Sequence, residues 1–98
     1  MTLPIDFRPD AELDLQYAHR WYEARQRGLG DAFVGRIDDN LYNISRFPNA
    51  YPAVHGEIRR CVLRRFPYSI LYIVERARIV VLAIFHERRD PEDWKERE

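Results

Sequence analysis

Two uninterrupted apolar runs in the second half of the chain limit its fold more than any other feature. Residues 79–85 are seven apolar residues in a row, and residues 70–74 are five. Because alternate side chains of a strand point to opposite faces of a sheet, each run supplies apolar residues to both faces. Both runs are shorter than the roughly 18 residues that indicate a membrane span. We therefore predict two strands that are buried on both faces.

Apolar residues at helical spacing predict two helices in the first half of the chain. The first begins at Ala11 with Asp10 as its cap, and the sequence RGLG at residues 27–30 ends it. The second begins at Asp31, and the short glycine turn makes the pair a helical hairpin. Gly35 lies inside the second helix, where glycine costs about 1 kcal/mol relative to alanine. We expect a close approach of the two helices to explain it.

Turn residues between the apolar segments predict a sheet around the two buried strands. Residues 4–7 form a short edge strand, and residues 48–56 form a loop. Three strands follow at about 58–66, 69–75 and 78–86, and their short connections favour an antiparallel meander. The order is β-α-α-β-β-β. This is an α+β fold with the helical hairpin packed on one face of an antiparallel sheet.

Length and composition narrow the class of protein. We expect one domain over residues 1–98. The single cysteine, Cys61, excludes an internal disulfide and is expected to be a small buried residue. The first residues carry charges where a signal peptide has its apolar core, so we expect a cytoplasmic protein. His19 and His55 have no partner at metal-ligand spacing, and we predict no metal site and no cofactor.

The second face of the predicted sheet needs a cover, because two helices can cover only one face. The C-terminal tail, through Trp94, would cover part of it. A partner protein or self-association would cover the rest. The sequence leaves open whether the chain or a partner supplies most of this cover.

Positive charge is concentrated in one block of a neutral chain. Residues 55–89 contain eight arginines and three glutamates, a balance of +5. Residues 1–54 contain six basic and eight acidic residues, a balance of −2, and residues 90–98 contain two and five, a balance of −3. The planar donor fork of arginine suits phosphates and carboxylates. The block therefore either binds anionic groups of a partner or forms a solvated strand edge.

The candidate functional residues gather where the last buried strand ends. Histidine is a common acid or base in proteins, so His86 is a candidate for either role, although it can also simply cap the strand. Arg88 and Arg89 follow it and either contact a partner or form surface ion pairs. Packing explains the aromatic residues better than base stacking does. They are Tyr68 and Tyr72 on the sheet and Tyr17, Trp21 and Tyr22 in the core or hairpin.

The chain resembles the RelE/ParE family of toxins from bacterial type II toxin–antitoxin, or plasmid-stabilisation, systems. The resemblance covers nearly the whole length. It rests on the hairpin, on RRFPYSILYIV at residues 64–74 and on IVVLAIFHERRDPEDW at residues 79–94. It implies a growth-arresting toxin of β-α-α-β-β-β fold. It also implies a cognate antitoxin that wraps the toxin with a helix and an extended segment, and it leaves open a homodimer or a toxin–antitoxin hetero-oligomer.

The resemblance implies one of two targets, DNA gyrase for ParE-like members or messenger RNA on the ribosome for RelE-like ribonucleases. The ribonuclease branch has a phosphate-binding arginine where this chain has Ser69. It also often has a tyrosine near the C-terminus, where the nearest aromatic residue here is Trp94, which cannot act as an acid or base. Both departures favour a ParE-like toxin that is not an enzyme.

Two alternatives stay open beside the gyrase-binding toxin. One is a ribonuclease with His86 as acid or base and with Arg89 and Arg65 at the phosphate. The other is a member of the family that has lost its toxicity and serves as a binding or autoregulatory module. For any of the three, the expected binding residues are Arg59, Arg60, Arg64, Arg88, Tyr68, Tyr72 and Trp94.

Overall fold

The structure is a computed structural model that describes residues 2–97. Its elements in chain order are β1 (Ile5–Phe7), α1 (Pro9–Arg25), α2 (Leu29–Arg46), β2 (Ala53–His55), β3 (Ile58–Val62), β4 (Tyr68–Glu75), β5 (Arg78–His86) and α3 (Glu92–Lys95). The predicted α+β fold, with a helical hairpin packed on a sheet, is confirmed.

The sheet contains five strands in the order β1-β5-β4-β3-β2. Strands β2 to β5 are antiparallel neighbours, whereas β1 pairs in parallel with β5, with Ile5 opposite Ile79. The edge strand predicted at residues 4–7 is therefore present. Strand β2 lies inside the predicted loop, because Gly56 adopts a φ of +53° and turns the chain tightly into β3. Strand β3 ends at Val62, before a turn in which Arg65 has a φ of 74°.

Both long helices begin two residues earlier than the sequence predicts. Helix α1 starts at Pro9, whose fixed φ suits the first helical position, and Asp10 lies in the first turn instead of capping it. Helix α2 starts after Gly28, which has a φ of +87°. Both oxygens of the Glu23 carboxylate accept backbone N–H groups, from Gly28 at 2.8 Å and from Gly30 at 2.9 Å. A side chain of α1 therefore caps α2, which sequence position alone does not reveal.

The close approach of the two helices occurs at Gly30 and not at Gly35. A Cβ atom on Gly30 would lie 2.5 Å from the backbone oxygen of His19, whereas one on Gly35 would have no described atom within 4 Å. The expectation for Gly35 is wrong because its position on α2 faces solvent. The close packing of α1 on α2 therefore requires glycine at position 30, within the RGLG turn sequence.

Each face of the sheet carries its own buried cluster. The hairpin covers one face, where Phe33, Ile37 and Ile70 are fully buried. On the other face, Trp94 from α3 is 6% exposed, and its ring centroid lies 6.4 Å from that of Phe85. This second cluster also includes Leu71, Ile73, Val80 and Leu82. The sequence left open whether the chain's own tail or a partner covers this face. Around Trp94, the tail itself provides the cover.

Substituting the two glycines of α2 with alanine should have opposite effects. Gly30→Ala should destabilise the protein by about 1–3 kcal/mol, because the added methyl group overlaps the backbone of α1. Gly35→Ala should stabilise it by about 1 kcal/mol through helix propensity. Urea unfolding of the two variants measures both. Equal changes in the two variants would contradict this account of the hairpin.

Trp94→Ala should destabilise the protein by about 3 kcal/mol, because the side chain fills the second face of the sheet. Trp21→Ala is the matched control, since Trp21 is 41% exposed, and we expect a smaller loss from it. Thermal and urea unfolding provide the comparison. A Trp94→Ala variant as stable as the wild type would show that burial of this face by the tail does not stabilise the protein.

Candidate functional site

A groove of about 760 Å³ opens between α1 and the ends of β4 and β5. Helix α1 supplies one wall, and β5 with the turn before β4 supplies the other. The groove is lined mainly by apolar and aromatic side chains. Each wall also contributes a charged group, Asp14 from α1 and Arg89 from the segment after β5. The lining residues are Leu13, Asp14, Tyr17, Trp21, Tyr22, Pro67, Tyr68, Ile84, His86 and Arg89.

The wall on α1 is a second apolar stripe of that helix. Leu13, Tyr17 and Trp21 recur every four residues and are 61%, 63% and 41% exposed, whereas Ala18 and Tyr22 are buried against the core. The guanidinium of Arg25 lies 3.5 Å from the centroid of the Trp21 ring. Of the two predicted locations, core or hairpin, Tyr17 and Trp21 occupy the hairpin, because the buried stripe of α1 already occupies its inner face. Their spacing was the signal that could have identified them.

His86 lies on the opposite wall and also ends its strand. Its Nδ1 accepts the backbone N–H of Arg88 at 3.0 Å, and its carbonyl accepts that of Arg89 at 3.0 Å. In the neutral ring, the remaining proton therefore lies on Nε2. The ring meets that of Tyr68 edge to face at 5.0 Å. The strand-capping role considered for His86 is thus present, and its role in function stays a prediction.

Asp14, in the groove lining, lies close to two arginines, Arg97 and Arg89. Its Oδ2 accepts the backbone N–H of Ile84 at 3.1 Å and Nη1 of Arg97 at 2.6 Å. Nη1 of Arg89 lies 3.9 Å from Oδ1, and Nη2 of Arg89 lies 3.5 Å from Asp93. Arg89 is therefore partly neutralised by two carboxylates. Asp14 was absent from the sequence prediction, since nothing in its local pattern distinguishes it from a solvated helix residue.

Three predicted binding residues instead hold the fold together. Arg59 donates to the carbonyl of Tyr51 at 2.6 Å and so fixes the loop after α2. The hydroxyl of the fully buried Tyr72 donates to the carbonyl of Pro48 at 2.7 Å. Trp94 is buried on the second face. These contacts give each residue a structural role, and a binding role for any of them stays a prediction.

The other predicted arginines do not converge on the groove. Arg65 borders a separate depression together with Arg36. Arg60, Arg64 and Arg88 are exposed. Of the ten predicted site residues, the structure brings together His86, Arg89 and Tyr68 in the groove lining.

Burial raises the pKa of the Tyr68 hydroxyl to about 12, with further upward contributions from Tyr22 and Tyr17. Tyr68 therefore presents a neutral hydroxyl to the groove at physiological pH. It can donate a hydrogen bond to a ligand but cannot serve there as a general base. Burial likewise raises the pKa of the Cys61 thiol to about 11, so this buried thiol is unreactive near neutral pH.

His19 does have partners at ligand distance, contrary to the sequence prediction. Ligand atoms of His19, Glu23 and Asp31 lie within 4.8 Å of one another. His19 Nε2 lies 3.0 Å from Asp31 Oδ1, and the Glu23 carboxylate caps α2. These hydrogen bonds hold the hairpin together and account for the arrangement of the three side chains.

Residues 5–91 match the model of the ParE toxin family, toxins of the type II toxin–antitoxin system parDE. The chain belongs to this family. The ParE-like resemblance proposed from the sequence is thereby confirmed. Comparison with curated proteins found no match. Within residues 2–97, the helices are too short or too polar to cross a membrane.

A solved structure described as "Chromosomal ParDE TA system from P. aeruginosa" has a similar fold. The TM-score is 0.76, with 19% sequence identity over 87% of this chain and 96% of that chain. At this level of identity the likeness concerns the fold. The ParE-family chain described here therefore has the architecture of a toxin–antitoxin component, and its site must be interpreted from its own residues.

The stability of the protein should fall as the pH rises above about 10. The folded state holds the Tyr68 proton with a pKa of about 12, while the unfolded chain releases it near the ordinary value of 10.0. The unfolded state then binds fewer protons, so rising pH favours it. Tyr68→Phe removes this group and should make the decline shallower in urea unfolding between about pH 8 and 11. An identical decline in the variant would contradict the assignment.

Proposed function

We propose that this ParE-family chain is a growth-arresting toxin that binds DNA gyrase and performs no chemical step itself. The observation that carries the proposal is the arrangement of the charged groups. Those expected for RNA cleavage are either dispersed over the surface or already paired, while the groove offers mainly aromatic and apolar surface. Such a surface is suited to binding a protein.

Cleavage of RNA needs a base, an acid and cations around a single phosphate. His86 and Arg89 share the groove, but Arg89 lies near two carboxylates and Arg65 borders another depression. The position where the ribonuclease branch has its arginine is occupied by the buried Ser69. The raised pKa of Tyr68 removes it as a base. These observations support a binding protein over a nuclease.

We further propose that a cognate antitoxin neutralises the toxin in the cytoplasm by covering the groove. Leu13, Tyr17 and Trp21 form an exposed stripe along α1, and Ile84 and Tyr68 form the facing wall. An amphipathic helix inserts its apolar face into grooves of this kind. The antitoxin thus removes from water the large apolar side chains that the free toxin exposes.

A ribosome-dependent ribonuclease is the second candidate, and the shared location of His86 and Arg89 in the groove is the observation that favours it. It requires His86 to transfer a proton. The gyrase-binding proposal requires only that the end of β5 keep its shape. The two proposals therefore differ in what a shape-preserving substitution of His86 does.

Inducing the chain alone in a bacterium should stop DNA synthesis before protein synthesis, as measured by pulse labelling of both within minutes. The purified chain should also inhibit supercoiling by DNA gyrase. If protein synthesis stops first and ribosome-bound messenger RNA is cleaved, the gyrase proposal is wrong and the ribonuclease is supported. Normal growth despite accumulation of the folded chain would contradict both toxins and support the third alternative, a non-toxic binding or autoregulatory module.

His86→Asn is the matched variant, because the asparagine oxygen can replace Nδ1 as acceptor for the Arg88 N–H while the imidazole ring is lost. We expect this variant to remain toxic. His86→Ala removes the acceptor as well and reports the structural contribution of the cap. Loss of toxicity in a folded His86→Asn protein would support proton transfer and so the ribonuclease.

A further inference from the structure

Three side chains that can ligate a metal ion lie together where α1 meets the start of α2. His19 and Glu23 are four residues apart on α1 and so share one side of that helix, and Asp31 lies in the first turn of α2. One ligand atom from each residue lies within 4.8 Å of the ligand atoms of the other two. None of the three residues belongs to the groove lining. The cluster is therefore a separate site that joins the two helices across the glycine turn.

The absence of a side chain at Gly30 makes room for this arrangement. A Cβ atom at that position would lie 2.9 Å from Oε1 of Glu23 and 2.9 Å from Cδ2 of the His19 ring. Within the ring, Cδ2 is bonded to Nε2, which is the nitrogen that faces Asp31. The glycine thus allows the imidazole and the Glu23 carboxylate to approach each other over the turn, so the fold holds both ligands close together.

The two carboxylates keep the capacity to coordinate a cation. A carboxylate has about four lone-pair sites, and the N–H groups of Gly28 and Gly30 occupy only two of those on Glu23. Hydrogen bonds of this kind orient the carboxylates of metal sites. Within residues 2–97, neither Glu23 nor Asp31 forms an ion pair with a lysine or an arginine. A bound cation would therefore not have to displace a protein cation.

The ligand types and their separation suit a tetrahedral zinc ion. Zinc lies about 2.0–2.2 Å from a histidine nitrogen or a carboxylate oxygen, which places two such ligand atoms about 3.4 Å apart. His19 Nε2 and Asp31 Oδ1 are 3.0 Å apart, and the Asp31 side chain is 82% exposed, so it has room to adjust. An imidazole ligand favours zinc over magnesium and calcium, which prefer oxygen ligands.

We propose that His19, Glu23 and Asp31 bind a zinc ion that joins α1 to α2. The ion takes the place of the proton between His19 Nε2 and Asp31, and the neutral ring then carries its proton on Nδ1. Water completes the tetrahedron. The ion stabilises the hairpin, whose first helix forms one wall of the groove. The proposal goes beyond the proposed function, because zinc binding requires neither gyrase nor an antitoxin.

Thermal unfolding of the tag-free, chelator-treated protein tests the site directly. Zinc chloride at about 100 times its dissociation constant should raise the melting temperature by about 10 °C, because zinc binds the folded hairpin and not the separated ligands of the unfolded chain. Magnesium chloride at the same concentration should leave the melting temperature unchanged. Titration calorimetry should give one zinc ion per chain. A wild-type protein that shows no response to zinc would overturn the proposal.

His19→Gln separates zinc binding from the hydrogen bond. The glutamine amide can still donate to Asp31, but it does not supply the imidazole ligand. The dissociation constant for zinc should rise at least about tenfold. Asp31→Asn keeps an acceptor for His19 and loses the charged ligand, so we expect the same direction of change. Because Asp31 is exposed, this second variant keeps the test decisive if His19→Gln does not fold.

His55→Gln is the matched control, since His55 lies on β2, outside the hairpin. Its affinity for zinc should equal that of the wild type. Undiminished zinc affinity in a folded His19→Gln or Asp31→Asn protein would show that zinc binds elsewhere, and would overturn the proposal. Loss of zinc affinity in His55→Gln would do the same. None of these outcomes depends on toxicity, so the proposed function is tested independently.

Discussion

Burial of β5 on both faces is the constraint on which the rest of the structure depends. The strand runs between β4 and β1, with the hairpin on one face and Trp94 on the other. Covering two faces with so short a chain requires both the helices before the sheet and the tail after it. The two ends of the sequence therefore meet beside β5, where Arg97 contacts Asp14.

The groove is a consequence of the same arrangement. Helix α1 uses Ala11, Ala18 and Tyr22 to pack on the core, which leaves its second stripe facing outward beside the end of β5. That stripe and the edge of β5 are neighbouring surfaces, one apolar and one rich in backbone hydrogen-bonding groups and arginines.

Much of the fold could be predicted from the sequence because local patterns specify it. The apolar runs at 70–74 and 79–85 identify the two central strands, and RGLG marks the turn of the hairpin. The location of the site was predicted less completely. His86 ends a buried strand and Arg89 follows it closely. Asp14 and Arg97, in contrast, act through a contact that spans 83 residues. The exposure of Trp21 likewise depends on which stripe of α1 packs on the core.

The sequence by itself determined the two long helices, the central strands, their order and the family, because these follow from periodicity, turn residues and motifs within short segments. Only the tertiary structure decided which glycine lets the helices approach, which arginines are held by the fold, and which groups cover the edge of β5. Those outcomes depend on distances between remote segments. Three such distances are those between Gly30 and His19, between Arg59 and Tyr51, and between Arg97 and Asp14. No local pattern of residues encodes them.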